Sequence, residues 1–266
     1  MPVQLPLTNP LPLKGSHLAV VVCQVRFEAH PSVSDVDAGL DLQEQLGGRS
    51  GKYPHLEAQE LRTALVEFSP RGLSNSEGAS SRGWRLRSTD GSWIVNLMPD
   101  HVSLETTAYT TWATDFRSRL EELLLSVEKT VGPRAQERVG LRYVNRLPSP
   151  ESGRPSDWAD QVVPEFLGPL GHPALREGVV SMQQQVELQV DDDIQCVMRY
   201  GALRDPNRLT AETYLLDYDL YNVEPRRFAA TAILDLADRL NETALALFQL
   251  SLTDSYLKTL RKEGHS

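Results

Sequence analysis

The segment Arg138–Leu147 carries the densest chemistry in the chain. Read as a strand, it places Arg138, Gly140, Arg142, Val144 and Arg146 on one face and Val139, Leu141, Tyr143, Asn145 and Leu147 on the other. Arginines four residues apart along a strand stand roughly 13 Å from one another. A guanidinium is a fixed fork of donors that matches a carboxylate or a phosphate, so Arg142 and Arg146 could bind an anion. The plainer reading, which the balance favours, is a solvated sheet face whose arginines meet acidic neighbours. Asn145 is the odd residue on its apolar face. Buried, it must find a hydrogen-bond partner or cost about 1–3 kcal/mol, so it either bonds a neighbouring loop, the preferred reading, or lines a pocket.

A second set of groups lies in Leu215-Leu216-Asp217-Tyr218-Asp219, where the two carboxylates share a strand face about 7 Å apart. Such a pair could perform acid–base work or hold a hard cation. More simply, Asp217 and Asp219 pair with Arg138, Arg142 and Arg146, provided both parts of the chain contribute to one sheet. Glu105 and Tyr109, on one face of a strand over His101–Tyr109, complete the candidate set for a small-molecule site. The triplet Asp191-Asp192-Asp193 reads as a solvated hairpin turn without the ligand pattern of a calcium loop. The six histidines are scattered. Cys23 and Cys196 sit in apolar runs with no second ligand at metal spacing, which predicts inert core thiols and no metal. No nucleophile elbow, phosphate loop or dinucleotide fingerprint occurs, which weighs against the familiar hydrolases and nucleotide enzymes but not against an unfamiliar one, and no cofactor is expected.

The elements that must position these groups follow from periodicity. Met1–Lys14, with four prolines, is expected to be extended. Leu18–Phe27 alternates as a strand, and Asp35–Leu46 is a helix stopped by Gly47-Gly48. His55–Phe68 is ambiguous, and Ser69–Gly83, rich in Ser and Gly, reads as a mobile loop. A hairpin follows, with Trp84–Arg87 and Trp93–Met98 around Ser88-Thr89-Asp90-Gly91. Thr111–Val131 is a long amphipathic helix with Trp112, Phe116, Leu120, Leu123, Leu124, Val127 and Val131 in its apolar stripe, ended by Gly132-Pro133. Pro148–Pro155 is the linker candidate, and Trp158–Leu167 a short helix broken by Pro164. Met182–Tyr200 forms a second hairpin and Thr213–Asn222 a third strand. Pro225 then opens a helix to about Leu250, and Ser251 or Thr253 caps a last short one.

Strand–strand–helix thus occurs twice, over 84–147 and 182–250. The expected fold is α+β with two similar halves, each a curved antiparallel sheet packed on one long amphipathic helix. The first half is 1–147 and the second 148–266, within one continuous domain.

Composition narrows the class. The 266 residues carry a formal net charge of -9, with 40% hydrophobic and 24% charged residues. An acidic chain argues against nucleic-acid binding through phosphates, which wants a basic face. The N-terminus lacks the basic and apolar regions of a signal peptide, and no stretch reaches the ~18 apolar residues that span a membrane. The expected location is the cytoplasm, with no membrane contact.

The strings Ser103-Leu104-Glu105-Thr106-Thr107-Ala108-Tyr109, Gly140-Leu141-Arg142-Tyr143-Val144-Asn145-Arg146 and Ser251-Leu252-Thr253-Asp254, with Gln24-Val25-Arg26-Phe27, carry a family likeness. The chain resembles, over nearly its whole length, a sporadically distributed family of uncharacterised bacterial proteins. That resemblance implies a bacterial, cytoplasmic, single-domain protein with no assigned activity. Patchy distribution further suggests, by analogy, a horizontally transferred defence or toxin–antitoxin setting. The expected function is a non-enzymatic binding or regulatory protein acting through a protein partner, with homodimer formation favoured by an exposed strand edge. The alternative is a small-molecule-binding enzyme or sensor with an Arg-lined anion pocket.

Overall fold

Alternating burial along Leu18–Phe27, with Val21, Cys23, Val25 and Phe27 inward, makes this segment the centre of the fold. The computed structural model describes Val3, Leu5 and residues 17–69, 72–148, 155–204 and 211–262. Its strands are β1 (Leu18–Phe27), β2 (His55–Ser69), β3 (Gly72–Arg87), β4 (Trp93–Met98), β5 (His101–Thr106), β6 (Ala135–Pro148), β7 (Gln184–Gln189), β8 (Gln195–Arg204), β9 (Ala211–Asn222) and β10 (Arg226–Arg227). They join in one antiparallel sheet of order β2-β3-β4-β5-β1-β6-β9-β8-β7, with β10 paired to β6. The strands of both chain halves therefore share a single sheet, joined where β6 pairs with β9.

The helices are α1 (Val36–Gln45), α2 (Arg117–Thr130), α3 (Pro164–Leu167), α4 (Ala230–Ser251) and α5 (Asp254–Lys262), giving a mixed α+β architecture. Leu120, Leu123, Leu124 and Val127 of α2 and Ile233, Leu240 and Leu247 of α4 are buried in the same core as the inward strand residues. Burying each such side chain contributes about 1.5–3 kcal/mol. Asp238 of α4 ties the two helices together, accepting from Trp112 Nε1 at 2.6 Å and Arg117 Nε at 2.9 Å. The Tyr143 hydroxyl of β6 donates to Asn241 Oδ1 of α4 at 2.7 Å, and Tyr218 of β9 donates to Ser251 Oγ at 2.7 Å. These bonds fix which face of the sheet the helices cover. Among the described residues no helix is long and apolar enough to cross a membrane.

Several expectations require correction. Gly72–Gly83, read within a mobile loop, belongs to β3 and pairs with β2 from Ser69↔Gly72 to Gln59↔Gly83. Cross-strand pairing here overrides the low strand propensity of Ser and Gly. The strand over His101–Tyr109 stops at Thr106, whose Oγ1 accepts from the Ala108 N–H at 3.0 Å and turns the chain. Trp112–Phe116 forms a wide helical turn ahead of α2, opened by Thr111 accepting from the Thr114 N–H. Trp158–Leu167 divides into a 3-10 turn, Pro155–Asp160, and α3. The helix expected from Pro225 starts at Ala230, because Arg226 and Arg227 pair with Gln136 and Ala135. Ala229, at the cap position, offers no side-chain acceptor, and Glu128 Oε1 accepts from the Ala230 N–H at 2.7 Å instead. Thr253, not Ser251, caps α5 through the Tyr256 N–H at 3.3 Å. The linker expected at Pro148–Pro155 and the extended Met1–Lys14 fall largely outside the described residues.

Candidate binding face

The face of the sheet turned away from α2 and α4 is polar at its centre. On β6, Arg142 and Arg146 are exposed and Arg138 half-buried, whereas Val139, Leu141, Tyr143 and Leu147 lie in the core. On β9, Asp217 and Asp219 share this face, while Tyr214, Leu216, Tyr218 and Leu220 face the helices. The register sets Arg142 opposite Asp219 and Val144 opposite Asp217, so the Arg142–Asp217 pair forms on the diagonal, whereas Arg138 reaches four residues along β9 from its opposite position to meet Asp219.

Arg142 grips Asp217 with two parallel bonds, Nε to Oδ1 and Nη2 to Oδ2, each at 2.7 Å. Arg199 of β8, directly across from Asp217, approaches the same carboxylate from the other side at 3.6 Å. The Asp217 side chain is 2% exposed, whereas Arg142 keeps 45% exposure and Arg199 30%. One buried anion thus holds two cations whose outer edges still reach solvent. Hydrogen bonding to the Asp217 carboxylate raises the Arg142 pKa above its usual value, which keeps the fork charged. Arg199 also donates to Gln185 Oε1 of β7 at 3.0 Å, fixing its orientation.

Arg138 behaves differently. Its guanidinium folds back over Gly140, where an added Cβ would meet Nη1 at 2.5 Å. From there it lies 4.7 Å from the centre of the Tyr221 ring, donates to Asp219 Oδ1 at 3.2 Å and reaches Gln24 Oε1 at 3.5 Å. Further along the sheet, Arg85 donates to Asn96 Oδ1 at 3.1 Å and Asn96 to Ser103 Oγ at 3.2 Å. Polar side chains therefore run across the open face from β3 to β7.

Of the residues singled out from sequence, the structure brings together Arg138, Arg142, Asp217 and Asp219. Arg146 shares their face and has no ion pair among the described residues. Glu105 also lies there, on the far side of Val22 from Arg142. Tyr109 does not: once β5 ends at Thr106 the alternation is lost. Its ring packs against Phe116 and Tyr143 on the helix side, and burial pushes its phenol up. Asn145 is buried and donates to the Leu216 carbonyl at 3.3 Å, so its partner is the backbone of β9, not a loop. The Asp191–Asp193 turn is more than a solvated loop. Arg239 of α4 holds Asp193 at 2.6 Å and Asp191 at 2.9 Å, pulling the Asp193 pKa down.

Sequence reasoning passed over Arg199. The signal was present: Cys196, Met198 and Tyr200 alternate as core, which puts Arg199 on the opposite face. Cys23 and Cys196 are buried and free, and burial pushes both thiols up to about 12. Among the described residues no group of three His, Cys, Asp or Glu side chains is placed to hold a metal ion. A wide-mouthed depression lies away from the arginine face, lined by Glu128, Gly132, Pro133, Arg134, Arg227 and Phe228. Glu128 there already serves the N-terminus of α4.

No family model and no curated protein matches the chain. Among solved structures, it aligns with the RNA triphosphatase Pct1 of S. pombe at 12% identity, over 94% of this chain and 87% of that one. The TM-score is 0.11, a likeness too slight to bear on fold or function.

Proposed function

We propose that this chain is a non-enzymatic binding or regulatory protein, and that an acidic segment of a protein partner docks on the helix-free sheet face across Arg142, Arg199 and Arg146. The observation that carries this reading is the sharing of one buried carboxylate, Asp217, by the exposed Arg142 and the half-buried Arg199. Two cations on one anion leave an excess positive charge, oriented by the sheet before any partner arrives. Preorganised guanidinium groups lose less freedom on binding a carboxylate than free ones do. Arg146, next but one to Val144, adds a cation beyond the pair without a competing acid among the described residues. The net charge of -9 opposes an acidic partner at long range, so the attraction on this reading comes from the local arginines of this face.

Membership of the sporadically distributed bacterial family and an internal duplication belong to the same proposal. The duplication is supported by connectivity once β6 is counted with the second unit: β1 and β6 lie side by side at the centre, β1 beside β5 and β6 beside β9, with α2 following β5 and α4 following β9 in the chain. The second functional reading, a sensor of a small anion, rests on Arg146, which is exposed on this face and has no ion pair among the described residues.

Native mass spectrometry of the protein purified from its own host separates these readings. A protein that co-purifies at fixed stoichiometry with the wild type and is lost from an Arg142→Glu/Arg146→Glu variant supports partner docking. A small adduct lost from that variant transfers the site to an anion ligand. A partner retained by the double variant rules the face out.

A further inference from the structure

The sheet has two ends, and they are unlike. At one end β2 continues beyond the main body with β3, since β4 covers β3 only over Trp84–Arg87. At the other end β7 closes the order, six residues paired with β8 in an unbroken register from Gln184↔Tyr200 to Gln189↔Gln195. A strand edge normally carries a lysine, a proline or a bulge that blocks further pairing. Gln184-Gln185-Val186-Glu187-Leu188-Gln189 carries no lysine, proline or bulge, and its one charge is Glu187.

Which backbone groups this edge presents follows from the bonds at either end of the hairpin. Met182 N–H donates to the Ala202 carbonyl and Val190 N–H to the Ile194 carbonyl, both at 2.9 Å. In an antiparallel ladder hydrogen-bonded and non-bonded positions alternate, so the even-numbered residues of β7 bond inward to β8. The N–H and C=O groups of Gln185, Glu187 and Gln189 therefore point away from the sheet. The same three residues have exposed side chains on the arginine face. Val186 and Leu188, half-buried on the helix-bearing face, pack against the core. Leu175 and Val180, two of the exposed large apolar side chains, lie in the chain that leads into β7.

We propose that β7 is the seam of a homodimer, pairing antiparallel with β7 of a second copy in a register centred on Val186. A two-fold axis normal to the sheet keeps the helix-bearing faces of both copies on one side, so residues of like parity must stand opposite each other. Within the bounds of β7, two registers of this kind pair five residues. One is centred on Glu187 and sets that carboxylate against its own copy, which is destabilising. The other is centred on Val186. It sets Gln185 opposite Glu187 in both directions, amide donor to carboxylate acceptor, as outward-pointing hydrogen-bonded pairs. Val186 then faces itself at a non-bonded position, where Cα atoms approach to about 4.5 Å.

The test uses the full chain. Glu187→Pro removes only an outward N–H, and an edge strand tolerates proline at such a position. The wild type is expected at twice 29.7 kDa by light scattering at tens of micromolar, and Glu187→Pro at 29.7 kDa with unchanged circular dichroism. Val186→Cys is expected to give an intermolecular disulfide on mild oxidation and Leu188→Cys none, since only position 186 meets itself within disulfide reach. The two native thiols are buried and stay out of the reaction. A monomeric wild type, a dimer that survives Glu187→Pro, or cross-linking at 188 in place of 186 would overturn the proposal. None of these readouts depends on Arg142 or on a partner, so this seam and the docking face stand or fall separately.

Discussion

Replacing Arg142 by alanine tests whether Asp217 is the organising charge of the open face. The Asp217 carboxylate is 2% exposed and loses both of its 2.7 Å bonds. The remaining cation, Arg199, stands at 3.6 Å. Removing one partner from a fully buried pair costs about 3–5 kcal/mol. Arg142 is itself 45% exposed, so water enters the space it leaves and the cost falls to about 2 kcal/mol. Arg138→Ala provides the internal comparison. Asp219 is 26% exposed and its bond is 3.2 Å, so this loss belongs with surface pairs, at about 0.5–1 kcal/mol. Replacing both members, Arg142→Met with Asp217→Leu, removes the buried carboxylate and leaves only the part-exposed Arg199, still bonded to Gln185, so stability should return to within about 1 kcal/mol of wild type. Urea unfolding followed by tryptophan fluorescence measures all three variants, compared by midpoint at constant m. If Arg142→Ala costs no more than Arg138→Ala, burial of Asp217 is not what gives the pair its strength and the reasoning fails.

Arg146→Ala should leave stability within about 0.5 kcal/mol of wild type while weakening capture of the co-purifying partner, since it has no ion pair among the described residues; a stability loss like that of Arg142→Ala would show it to be structural. Gly140→Ala should cost about 1 kcal/mol by displacing the Arg138 guanidinium, and that cost should vanish in an Arg138→Ala background; additive losses in the double-mutant cycle would mean the two do not interact. Gly39→Ala puts a methyl 2.6 Å from the Trp84 indole, which the 2.8 Å bond from Nε1 to the Val33 carbonyl holds in place, so a loss of about 1–3 kcal/mol in urea is expected despite alanine's better helix propensity. Burial raises the phenol pKa of Tyr53, Tyr109, Tyr143, Tyr214 and Tyr218. The unfolded chain titrates near 10, so their contribution is intact below about pH 10 and is lost as pH rises towards the folded values. Absorbance at 295 nm should therefore rise for these phenols only together with alkaline unfolding, and a smooth titration in the folded protein would contradict it.

Local rules reached the central strands because there the physics is local. Leu18–Phe27 alternates along its length and is β1 at those bounds. Asp90-Gly91 turns the β3–β4 hairpin, with Gly91 at φ 73° as that turn requires. The pairing of Asp217 and Asp219 with Arg138 and Arg142 needed only alternation and the condition of a single sheet, which the β6–β9 register meets. What was hidden depends on partners distant in sequence. β3 exists because β2 lies beside it, although Gly72–Gly83 is rich in Ser and Gly. The start of α4 is set by Glu128, 102 residues earlier. Tyr109 left its assigned face when a threonine hydroxyl ended β5 three residues ahead of the expected point.

The behaviour of Arg138 shows how the centre of this face resolves a conflict that pairing alone creates. Register sets Arg26 of β1 directly opposite Arg138 of β6, a like-charge pair that costs stability if both side chains stand upright. Each turns aside, in opposite directions. Arg26 reaches Asp100 at 3.1 Å beyond β5, and Arg138 folds over Gly140 to Asp219 and Tyr221. A side chain at position 140 would close that route, which gives the glycine a role that backbone conformation does not, since Gly140 has no positive φ. Once Arg138 has taken Asp219, Asp217 is left to Arg142 and Arg199 together. The surplus of cation over anion on this part of the face is therefore a consequence of the β1–β6 register, and the charge offered to a partner is set by how the two central strands meet.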